Sequence, residues 1–361
     1  MQQNQKAISI IVPTYNEKDN LKPLVERLQA ALAGMDYEIV VVDDDSGDGT
    51  AELASELSKS YPLRLIVRKG ERGLASAVVH GLRHANGALA GVMDADLQHP
   101  PEIVPLLLKA IQEGADIAVA SRYVKGGDCE GWGWLRRLQS RGATLLAHLF
   151  LARARSVKDP MSGFFMLRRE AIRDADLKPQ GYKILLEILV KAKYASVAEV
   201  PYVFKLRRSG SSKLLVSQQM DYLKHLYALM RSTGEFRRFI KYCLVGASGI
   251  VVDEGIFWLL TQFGGVLNYL AAAISAEAAI ITNFTLNNYF TFADRRLPGF
   301  RFFLIRLLKF NLVSITGIGI KLGVFWLLTA VFGPYDLWFN LCGIAVAVVW
   351  NYIMNTWWTW H

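Results

Sequence analysis

The chain has 361 residues, of which 52% are hydrophobic, and a formal net charge of +9 at pH 7. Its basic residues flank apolar blocks instead of forming one stripe with interleaved aromatics, which argues against nucleic-acid binding and for anchoring beside a membrane. Cys129, Cys243 and Cys342 form no CxxC pair, so neither a zinc site nor a disulfide framework is indicated.

The first part of the chain, up to about Arg237, alternates short apolar runs with amphipathic segments. The apolar runs predict buried strands at residues 7–12, 38–42, 63–67, 89–93 and 117–120. The segments between them predict helices at residues 17–33, 50–60, 74–85 and 102–112. This order predicts an α/β domain over residues 1–236, with a Rossmann-like, mostly parallel sheet that binds ligands beyond the carboxyl ends of its strands.

The second predicted strand ends in an acidic turn, residues 43–50, with the sequence DDDSGDGT. Such a turn can accept hydrogen bonds from a ribose or a base. It can equally be a capped turn in which Ser46 or Asp48 opens the next helix. A calcium loop is a third interpretation, but no Glu stands at the twelfth position from Asp43 or Asp44.

The fourth predicted strand ends in Asp94-Ala95-Asp96. Carboxylates at positions i and i+2 of an extended segment project to the same side, so both can approach one cation. Hard oxygen ligands favour Mg²⁺ or Mn²⁺, which could bridge a diphosphate and act as a Lewis acid. A solvated turn is the alternative, but the position after a strand of a nucleotide-binding pattern favours the metal.

The remaining part of the chain contains four long apolar blocks, at residues 239–263, 267–292, 303–332 and 337–358. Each is long enough to cross a bilayer as a helix, which takes about 20 residues. They predict an all-α transmembrane domain over residues 237–361. Lys and Arg occur in the first flank and in the loop 294–309 but not in the loops 264–268 and 333–336. The positive-inside rule therefore predicts that both termini, the loop 294–309 and the α/β domain are cytoplasmic.

The predicted spans include four ionisable residues, Asp253, Glu254, Glu277 and Lys321. Such residues point to a function within the membrane, or they pair with one another or lie near a helix end. We favour the second interpretation, for example a pairing of Asp253 or Glu277 with Lys321. The segments 134–151 and 214–230 combine apolar residues at helical spacing with basic ones, which fits either interfacial helices or helices that cover a core.

Three ordered motifs carry a family resemblance: residues 9–17 (SIIVPTYNE), the acidic turn at 43–50, and residues 94–101 (DADLQHPP). Together they resemble the family 2 glycosyltransferases of GT-A fold. Ser121-Arg122-Tyr123 and residues 159–164 (DPMSGF) narrow the likeness to the polyprenyl-phosphate sugar synthases, and most closely to the dolichol-phosphate mannose synthases. Here the catalytic domain is joined to a GtrA-like four-span domain, so the resemblance covers essentially the whole chain.

The resemblance implies transfer of mannose from GDP-mannose to dolichyl or another polyprenyl phosphate, with UDP-glucose as the alternative donor. It implies a role in binding the nucleotide sugar for Pro13, Tyr15, Glu17, Asp44 and Asp94. It implies that the ligands of Mg²⁺ or Mn²⁺ are Asp94, Asp96, Gln98 and the carbonyl of Ala95.

For the acceptor phosphate, the resemblance implies Arg122, Arg136 and Ser140. Arg207 and Lys213, in a loop with the sequence RRSGSSK, would close over the donor diphosphate. Asp96, Arg122 and Arg207 are therefore the expected catalytic residues. The alternatives are that Arg136 only solvates the start of a helix and that Arg207 is an ordinary loop charge.

A phosphate acceptor is already anionic at neutral pH, so it needs placement and charge shielding instead of a general base. Arginine suits this task because its planar fork bonds phosphate oxygens in pairs. We therefore expect one in-line displacement with inversion at the anomeric carbon. A lipid-sugar transporter or anchor is the alternative from another class. A processive polysaccharide synthase is disfavoured because the sequence has no QxxRW segment. We expect the plasma membrane of a bacterium or archaeon, while the oligomeric state does not follow from the sequence.

Overall fold

The structure, a computed structural model, describes residues 7–178, 181–206, 216–333 and 336–361. The chain divides into two compact units, residues 1–230 and residues 231–361, which we describe separately. We call them the catalytic unit and the four-helix unit. The division lies after residue 230, whereas the sequence analysis placed the domain boundary after residue 236.

The catalytic unit is built around a seven-stranded sheet. Its strands are β1 (Ile8–Thr14), β2 (Tyr37–Asp43), β3 (Leu63–Val67), β4 (Leu89–Val92), β5 (Ile117–Ser121), β7 (Phe165–Arg168) and β8 (Val197–Pro201). Their spatial order is β3-β2-β1-β4-β7-β5-β8, and every pair is parallel except the two that involve β7. The predicted mostly parallel sheet is confirmed, and all five predicted strands are present. The sequence did not predict β7, which inserts antiparallel between β4 and β5.

The helices of this unit pack on both faces of the sheet. They are α1 (Lys18–Ala31), α2 (Thr50–Leu57), α3 (Leu74–His84), α4 (Val104–Gln112), α5 (Trp134–Phe150), α6 (Ile184–Lys191) and α7 (Val216–Ser232), the last of which continues two residues beyond the unit. Apolar residues of α1, α2 and α4 form a core with one face of the central strands. Those of α3 and α6 form a second core with the other face. Successive strand residues point to opposite faces, as Ile10 and Ile11 do, so the near-continuous apolar strands serve both cores.

A short parallel pair of strands, β6 (Asp128–Cys129) and β9 (Val203–Phe204), lies outside the main sheet. It joins the segment after β5 to the segment after β8. Because β8 continues almost directly into β9, the loop that begins at Lys205 starts near the fourth strand end. The backbone amide of Lys205 donates a hydrogen bond to the carbonyl of Gln98, over 3.0 Å.

The four-helix unit consists of α8 (Glu235–Gln262), α9 (Asn268–Leu286), α10 (Phe300–Phe332) and α11 (Asp336–Met354). A turn of π-helix extends α9 over Asn287–Thr291 and α11 over Asn355–Thr359. All four are long and apolar enough to cross a membrane, in agreement with the four predicted spans. Large apolar side chains remain exposed along them, for example Val251 and Trp326, which is typical of a surface that faces lipid. The chain is therefore a membrane protein.

Candidate active site

A cavity of about 310 Å³ opens at the carboxyl ends of β1, β2 and β4. Seven residues that the sequence analysis placed in the donor and metal site line it: Pro13, Tyr15, Glu17, Asp44, Asp94, Ala95 and Asp96. They come from three segments that are far apart in the chain. Adjacent parallel strands bring these segments together, because such strands end at the same edge of the sheet.

Each of the three segments turns through a residue in the left-handed region, at Asn16, Asp45 and Leu97. Asn and Asp tolerate this conformation, whereas it is unusual for leucine. Leu97 lies between Asp96 and Gln98, with its side chain buried. Strained backbone of this kind costs about 1–3 kcal/mol and tends to persist where function needs it. Here it bends the chain directly after the two carboxylates.

Asp44 is fixed in place by Arg68, a residue that the sequence analysis missed. Nε and Nη2 of Arg68 donate to Oδ1 of Asp44 over 2.8 and 2.5 Å, and the amide of Gly73 donates to Oδ2 over 2.8 Å. Both side chains of the pair are buried. The neighbouring Asp43 has a structural role, because it accepts hydrogen bonds from Thr14 and from the amide of Ser46.

A second missed residue, Arg72, closes one side of the cavity. Its guanidinium lies 4.9 Å from the ring centroid of Tyr15, which is itself about half exposed. The loop from residue 68 to residue 73 has the sequence RKGERG and precedes α3. A glycine-rich basic loop before a helix is a typical anion-binding signal, and it could have identified Arg72 from the sequence.

His99 is buried and holds the Asp94–Asp96 turn through a hydrogen bond. The amide of Asp94 donates to Nδ1 of His99 over 3.0 Å, and the His99 ring stacks on Phe164 with the centroids 5.2 Å apart. Burial lowers the pKa of His99 to about 4, against the attraction of Asp96, so the imidazole is neutral at physiological pH. A neutral ring can accept at Nδ1, as this hydrogen bond requires.

The donor set at the cavity fits a divalent cation. Glu17, Asp94 and Asp96 bring three carboxylates to a cavity that also has Arg72, while Asp44 is neutralised by Arg68. A diphosphate would be repelled by this surface unless a cation came with it. Among the residues that the structure describes, no three His, Cys, Asp or Glu side chains form a complete metal cluster. Oxygen atoms of the diphosphate or water would therefore complete the coordination.

Gln98, the third expected side-chain ligand, is bonded to the loop that begins at Lys205. Its Nε2 donates to the carbonyl of Lys205 over 2.9 Å, and its amide donates to Oδ1 of Asp96 over 3.1 Å. The carbonyl Oε1 is the atom that could serve a metal. Gln98 thus joins the carboxylate turn to the start of the segment that contains Arg207 and Lys213. Arg207 and Lys213 themselves lie outside the described residues.

Arg122 is buried and paired with Asp159. Nε and Nη2 of Arg122 donate to the two carboxylate oxygens of Asp159, each over 2.7 Å, and the Arg122 amide donates to the same group over 3.0 Å. The pair holds the pKa of Arg122 above its usual value despite burial. The fork leaves Nη1 pointing away from Asp159, and Arg122 lines a second cavity of about 490 Å³ with Arg137, Arg141 and Lys158.

Arg136 and Ser140 lie one turn apart on α5. The hydroxyl of Tyr123 donates to Oγ of Ser140 over 2.7 Å, and the guanidinium of Arg136 lies 4.2 Å from the ring centroid of Trp132. Neither residue lines the cavity that contains Arg122. The two share a helix, and Ser140 is bonded to Tyr123, which follows Arg122 in the chain.

The helix α5 also exposes large apolar side chains. Trp134 is 77% exposed and Leu138 is 59% exposed, on the helix that contains Arg136 and Ser140. The hydroxyl of Tyr222, on α7, donates to the carbonyl of Ala143 over 2.6 Å. Both predicted helices are present, and they pack on each other within the catalytic unit.

Lys183 is a further residue that the sequence analysis missed. It directly precedes α6, and its Nζ donates to the carbonyl of Met161 over 3.1 Å. Burial lowers the pKa of Lys183 to about 8, helped by the positive charges of Arg122 and Arg136 and opposed by Asp159 and Asp94. Its ammonium group therefore lies close to both predicted parts of the site. No local sequence signal distinguishes it from other lysines.

The intramembrane charges do not pair with each other in the described part of the chain. Oγ of Ser275 donates to Oδ1 of Asp253 over 2.5 Å, and Nδ2 of Asn311 donates to Oε1 of Glu277 over 2.9 Å. No ion pair to Lys321 is present among the described residues. The favoured pairing with Lys321 is replaced by hydrogen bonds to a hydroxyl and an amide on neighbouring helices.

Comparison with known proteins adds a family to this geometry. Residues 9–175 match the model of glycosyl transferase family 2, and residues 241–360 match that of the GtrA/DPMS transmembrane domain. The dolichol-phosphate mannosyltransferase of Pyrococcus furiosus is 46% identical over 353 residues, which cover 98% of this chain and 99% of that protein. That of Saccharomyces cerevisiae is 39% identical over 251 residues, or 65% of this chain and 92% of that protein.

Among solved structures, glucosyl-3-phosphoglycerate synthase from Mycobacterium tuberculosis has a similar fold. In its complex with Mn²⁺, UDP-glucose and phosphoglyceric acid, the TM-score is 0.51 at 19% identity. The similarity covers 62% of this chain and 80% of that one. At this identity the likeness establishes the GT-A fold of the catalytic unit.

Proposed function

The chain belongs to the dolichol-phosphate mannosyltransferase family of family 2 glycosyltransferases, and from this membership we propose that it transfers mannose from GDP-mannose to a polyprenyl phosphate. The products are a polyprenyl phosphate mannose and GDP. The observation that carries the proposal is the cavity at the sheet edge, where Asp94 and Asp96 meet the predicted nucleotide residues Tyr15, Glu17 and Asp44.

The residues that line the cavity suit both the nucleoside and the diphosphate of the donor. Tyr15 presents a half-exposed ring at one side, with Arg72 over it, which suits stacking on a base and attraction to a phosphate. Asp44, oriented by Arg68 and Gly73, retains lone pairs that can accept from the nucleoside. The carboxylates of Asp94 and Asp96 then lie beside the diphosphate.

A divalent cation, Mg²⁺ or Mn²⁺, would be held by Asp94 and Asp96, with Gln98 and the Ala95 carbonyl as further oxygen ligands. When bound, it would supply Lewis-acid stabilisation of the charge on the departing diphosphate. The Mn²⁺ in the complex of the mycobacterial synthase supports a metal-dependent transfer here. His99 keeps the carboxylate turn in place without adding a charge of its own, because its imidazole is neutral.

The acceptor phosphate would be held by four residues, Arg122, Arg136, Ser140 and Lys183. Arg122 is oriented by Asp159, and Arg136 and Ser140 are presented by α5. Lys183, held by the carbonyl of Met161, is close enough to feel the charges of Arg122 and Arg136. These groups offset the repulsion between two phosphate-bearing substrates. Exposed Trp134 and Leu138, on the helix of Arg136, suit an acceptor whose tail stays in the bilayer.

The reaction is then one displacement at the anomeric carbon. A phosphate oxygen of the acceptor forms a bond to C1 of mannose while the bond from C1 to the β-phosphate oxygen of GDP breaks, and that oxygen leaves with the electron pair. No proton has to be removed from the nucleophile, so no general base is required. The product has the inverted anomeric configuration.

The test is transfer of radiolabelled sugar into the lipid phase by the purified full chain, with GDP-mannose and UDP-glucose assayed separately. We expect label from GDP-mannose, loss of transfer with chelator, and recovery with Mg²⁺ or Mn²⁺. Asp96→Asn should lower transfer at least about 100-fold, the scale for loss of one group that stabilises a developing charge. Glu113→Gln, on an exposed residue after α4, removes one carboxylate elsewhere and should leave transfer unchanged.

Transfer from UDP-glucose alone would replace mannose in the proposal. Transfer that persists in Asp96→Asn and in chelator would reject the metal site. Retained configuration in the product, or a trapped glycosyl-enzyme, would reject the single displacement.

A further inference from the structure

The four-helix unit contains an internal repeat. Residues 239–292 align without a gap with residues 307–360. Equivalent residues are 68 positions apart, as Gly249 and Gly317 are. The sequence Phe-Trp-Leu-Leu-Thr at 257–261 returns at 325–329. Other residues that recur are Lys241 at Lys309, Asn283 at Asn351, Asn287 at Asn355 and Thr291 at Thr359.

The structure repeats its contacts in the same way. Phe292 and its counterpart Trp360 stack directly on each other, with ring centroids 4.4 Å apart and planes 8° apart. A Cβ atom added at Gly249 would lie 2.2 Å from the side-chain amide of Asn283. At Gly317 it would lie 2.3 Å from that of Asn351. The two helical hairpins are therefore equivalent halves, and a difference between equivalent positions is informative.

Arg238 and Arg306 are equivalent positions with different partners. The Nη1 and Nη2 atoms of Arg238 donate to the carboxylates of Glu235 and Asp294, the latter over 2.7 Å. Nη2 of Arg306 donates to the carbonyl of Arg295 over 3.0 Å. Nη1 of Arg306 is buried and has no hydrogen-bond partner among the described residues.

The second repeat lacks the acid that the first repeat supplies. Phe303 occupies the position that corresponds to Glu235, and it packs edge to face on Phe284. Arg306 is only 6% exposed, so water does not surround its guanidinium. An arginine cannot escape this situation by losing its proton, and a buried charge without a partner costs several kcal/mol.

We propose that Arg306 binds the phosphate group of a membrane lipid at this end of the four-helix unit. A guanidinium matches phosphate oxygens in geometry and charge. Two further basic residues are near this position: Arg295, whose carbonyl accepts from Arg306 and whose guanidinium pairs with Glu235 and Asp294, and Lys309, which follows one turn later on α10. Basic clusters at the ends of membrane helices attract anionic headgroups. This site is independent of the sugar transfer proposed above.

The lipid phosphate takes the place that two carboxylates occupy around Arg238. The ligand is defined by this chemistry, a phosphate ester on an apolar tail, which a phospholipid and a polyprenyl phosphate share. The experiment has to separate these sources from each other and from free phosphate.

The test uses the full chain, freed of lipid in a neutral detergent, and measures the midpoint of thermal unfolding. Four additions are compared: phosphatidylglycerol, polyprenyl phosphate, inorganic phosphate and a neutral diacylglycerol. We expect a phosphate lipid to raise the midpoint of the wild type by about 2–4 °C, the shift that a moderate gain in stability gives in a chain of this size. Diacylglycerol and inorganic phosphate should give no comparable shift.

Arg306→Met removes the buried charge and keeps an apolar side chain. It should abolish the lipid-dependent shift at this site, whereas Arg301→Gln, which removes an exposed charge from the same helix, should retain it. Polyprenyl phosphate can also stabilise through the catalytic unit, so its contribution to this site is the difference between the wild type and Arg306→Met. Equal lipid shifts in these two proteins would overturn the proposal. An equal shift with inorganic phosphate would overturn its lipid part.

Phe302→Glu provides a second, independent variant in case Arg306→Met does not fold. Phe302 is about half exposed, and a glutamate there would lie four residues before Arg306, the favourable order for an ion pair on a helix. This internal carboxylate should raise the lipid-free midpoint and reduce the response to lipid. A Phe302→Glu protein that responds to lipid as the wild type does would contradict the proposal.

Discussion

The two units of the molecule treat buried charges differently. In the catalytic unit, Arg122 is buried against Asp159 and Arg68 against Asp44, so the chain itself provides each partner. In the four-helix unit, Arg306 is as deeply buried, but one of its N–H groups has no partner within the described chain. Where the chain provides the partner, burial fixes the position of a side chain. Where it does not, the partner has to come from outside, and the charge becomes a binding site.

The strongest test of this comparison removes one member of a buried pair. Arg122→Met leaves the carboxylate of Asp159 buried without its partner. We expect a loss of about 3–5 kcal/mol in the free energy of unfolding, the usual cost of breaking a buried ion pair. Denaturant titration of the full chain in detergent measures it.

The matched control is an exposed pair with the same geometry. Nε and Nη2 of Arg27 donate to the two oxygens of Glu102 over 2.8 and 2.7 Å, but the two side chains are 39% and 57% exposed. Arg27→Met should cost at most about 1 kcal/mol. If Arg27→Met and Arg122→Met lower the free energy of unfolding equally, burial does not increase the contribution of the Arg122–Asp159 pair.

Lys183 is intermediate between the two cases, because its ammonium group is partly buried and charges of both signs act on it. We expect Lys183→Met to raise KM for polyprenyl phosphate about 10–100-fold, since hydrogen bonds to charged groups contribute about 1.5–3 kcal/mol. KM for the nucleotide sugar should change much less. A change in kcat alone, with both KM values unchanged, would contradict a role in holding the acceptor.

The pH dependence of the wild type gives a second measure of Lys183. With its pKa lowered to about 8, the ammonium is charged below that pH and loses its proton as pH rises past it. KM for the acceptor should therefore rise between pH 7 and 9. The charged groups that act on it are Arg122, Arg136, Asp94 and Asp159. Lys183→Arg should remove the dependence, because arginine stays protonated.

Gly163 tests how closely the carboxylate turn is packed. A Cβ atom added there would lie 3.2 Å from Cε1 of His99 and 3.3 Å from Oδ2 of Asp94. Gly163→Ala should displace the Asp94 carboxylate by a few tenths of an ångström and lower kcat about 10-fold. Gly142→Ala, in open space on α5, is the control and should retain activity. Full activity of Gly163→Ala would mean that the position of Asp94 is not critical.

The smallest change in stability is expected in the four-helix unit. Ser275→Ala removes the hydroxyl that donates to Asp253, and hydrogen bonds between membrane helices are worth about 0.6 kcal/mol on average. Ser248→Ala gives the baseline for unfolding in detergent, because the Ser248 hydroxyl donates to the carbonyl of Val245 in its own helix. A loss well above about 2 kcal/mol for Ser275→Ala would mean that this hydrogen bond contributes far more than the average one between membrane helices.

Local sequence patterns predicted most of the catalytic fold. The five apolar runs and the intervening helices are all present, because burial on both faces leaves a continuous apolar signal in a parallel strand. β7 was not predicted, since Phe165–Arg168 is a four-residue strand whose place between β4 and β5 depends on distant pairing. The four spans were predicted equally well, because their signal is length and hydrophobicity alone.

The sequence by itself determined the two kinds of unit, the strand ends that hold Asp44, Asp94 and Asp96, and the four spans, since each has a local signal. Only the tertiary structure decided the partners: Asp159 for Arg122, the Met161 carbonyl for Lys183, and the missing carboxylate at Arg306. The physical reason is that hydrophobic periodicity is read along a few residues of one segment. The pairing of a buried charge depends instead on which distant segments the fold brings within hydrogen-bond distance.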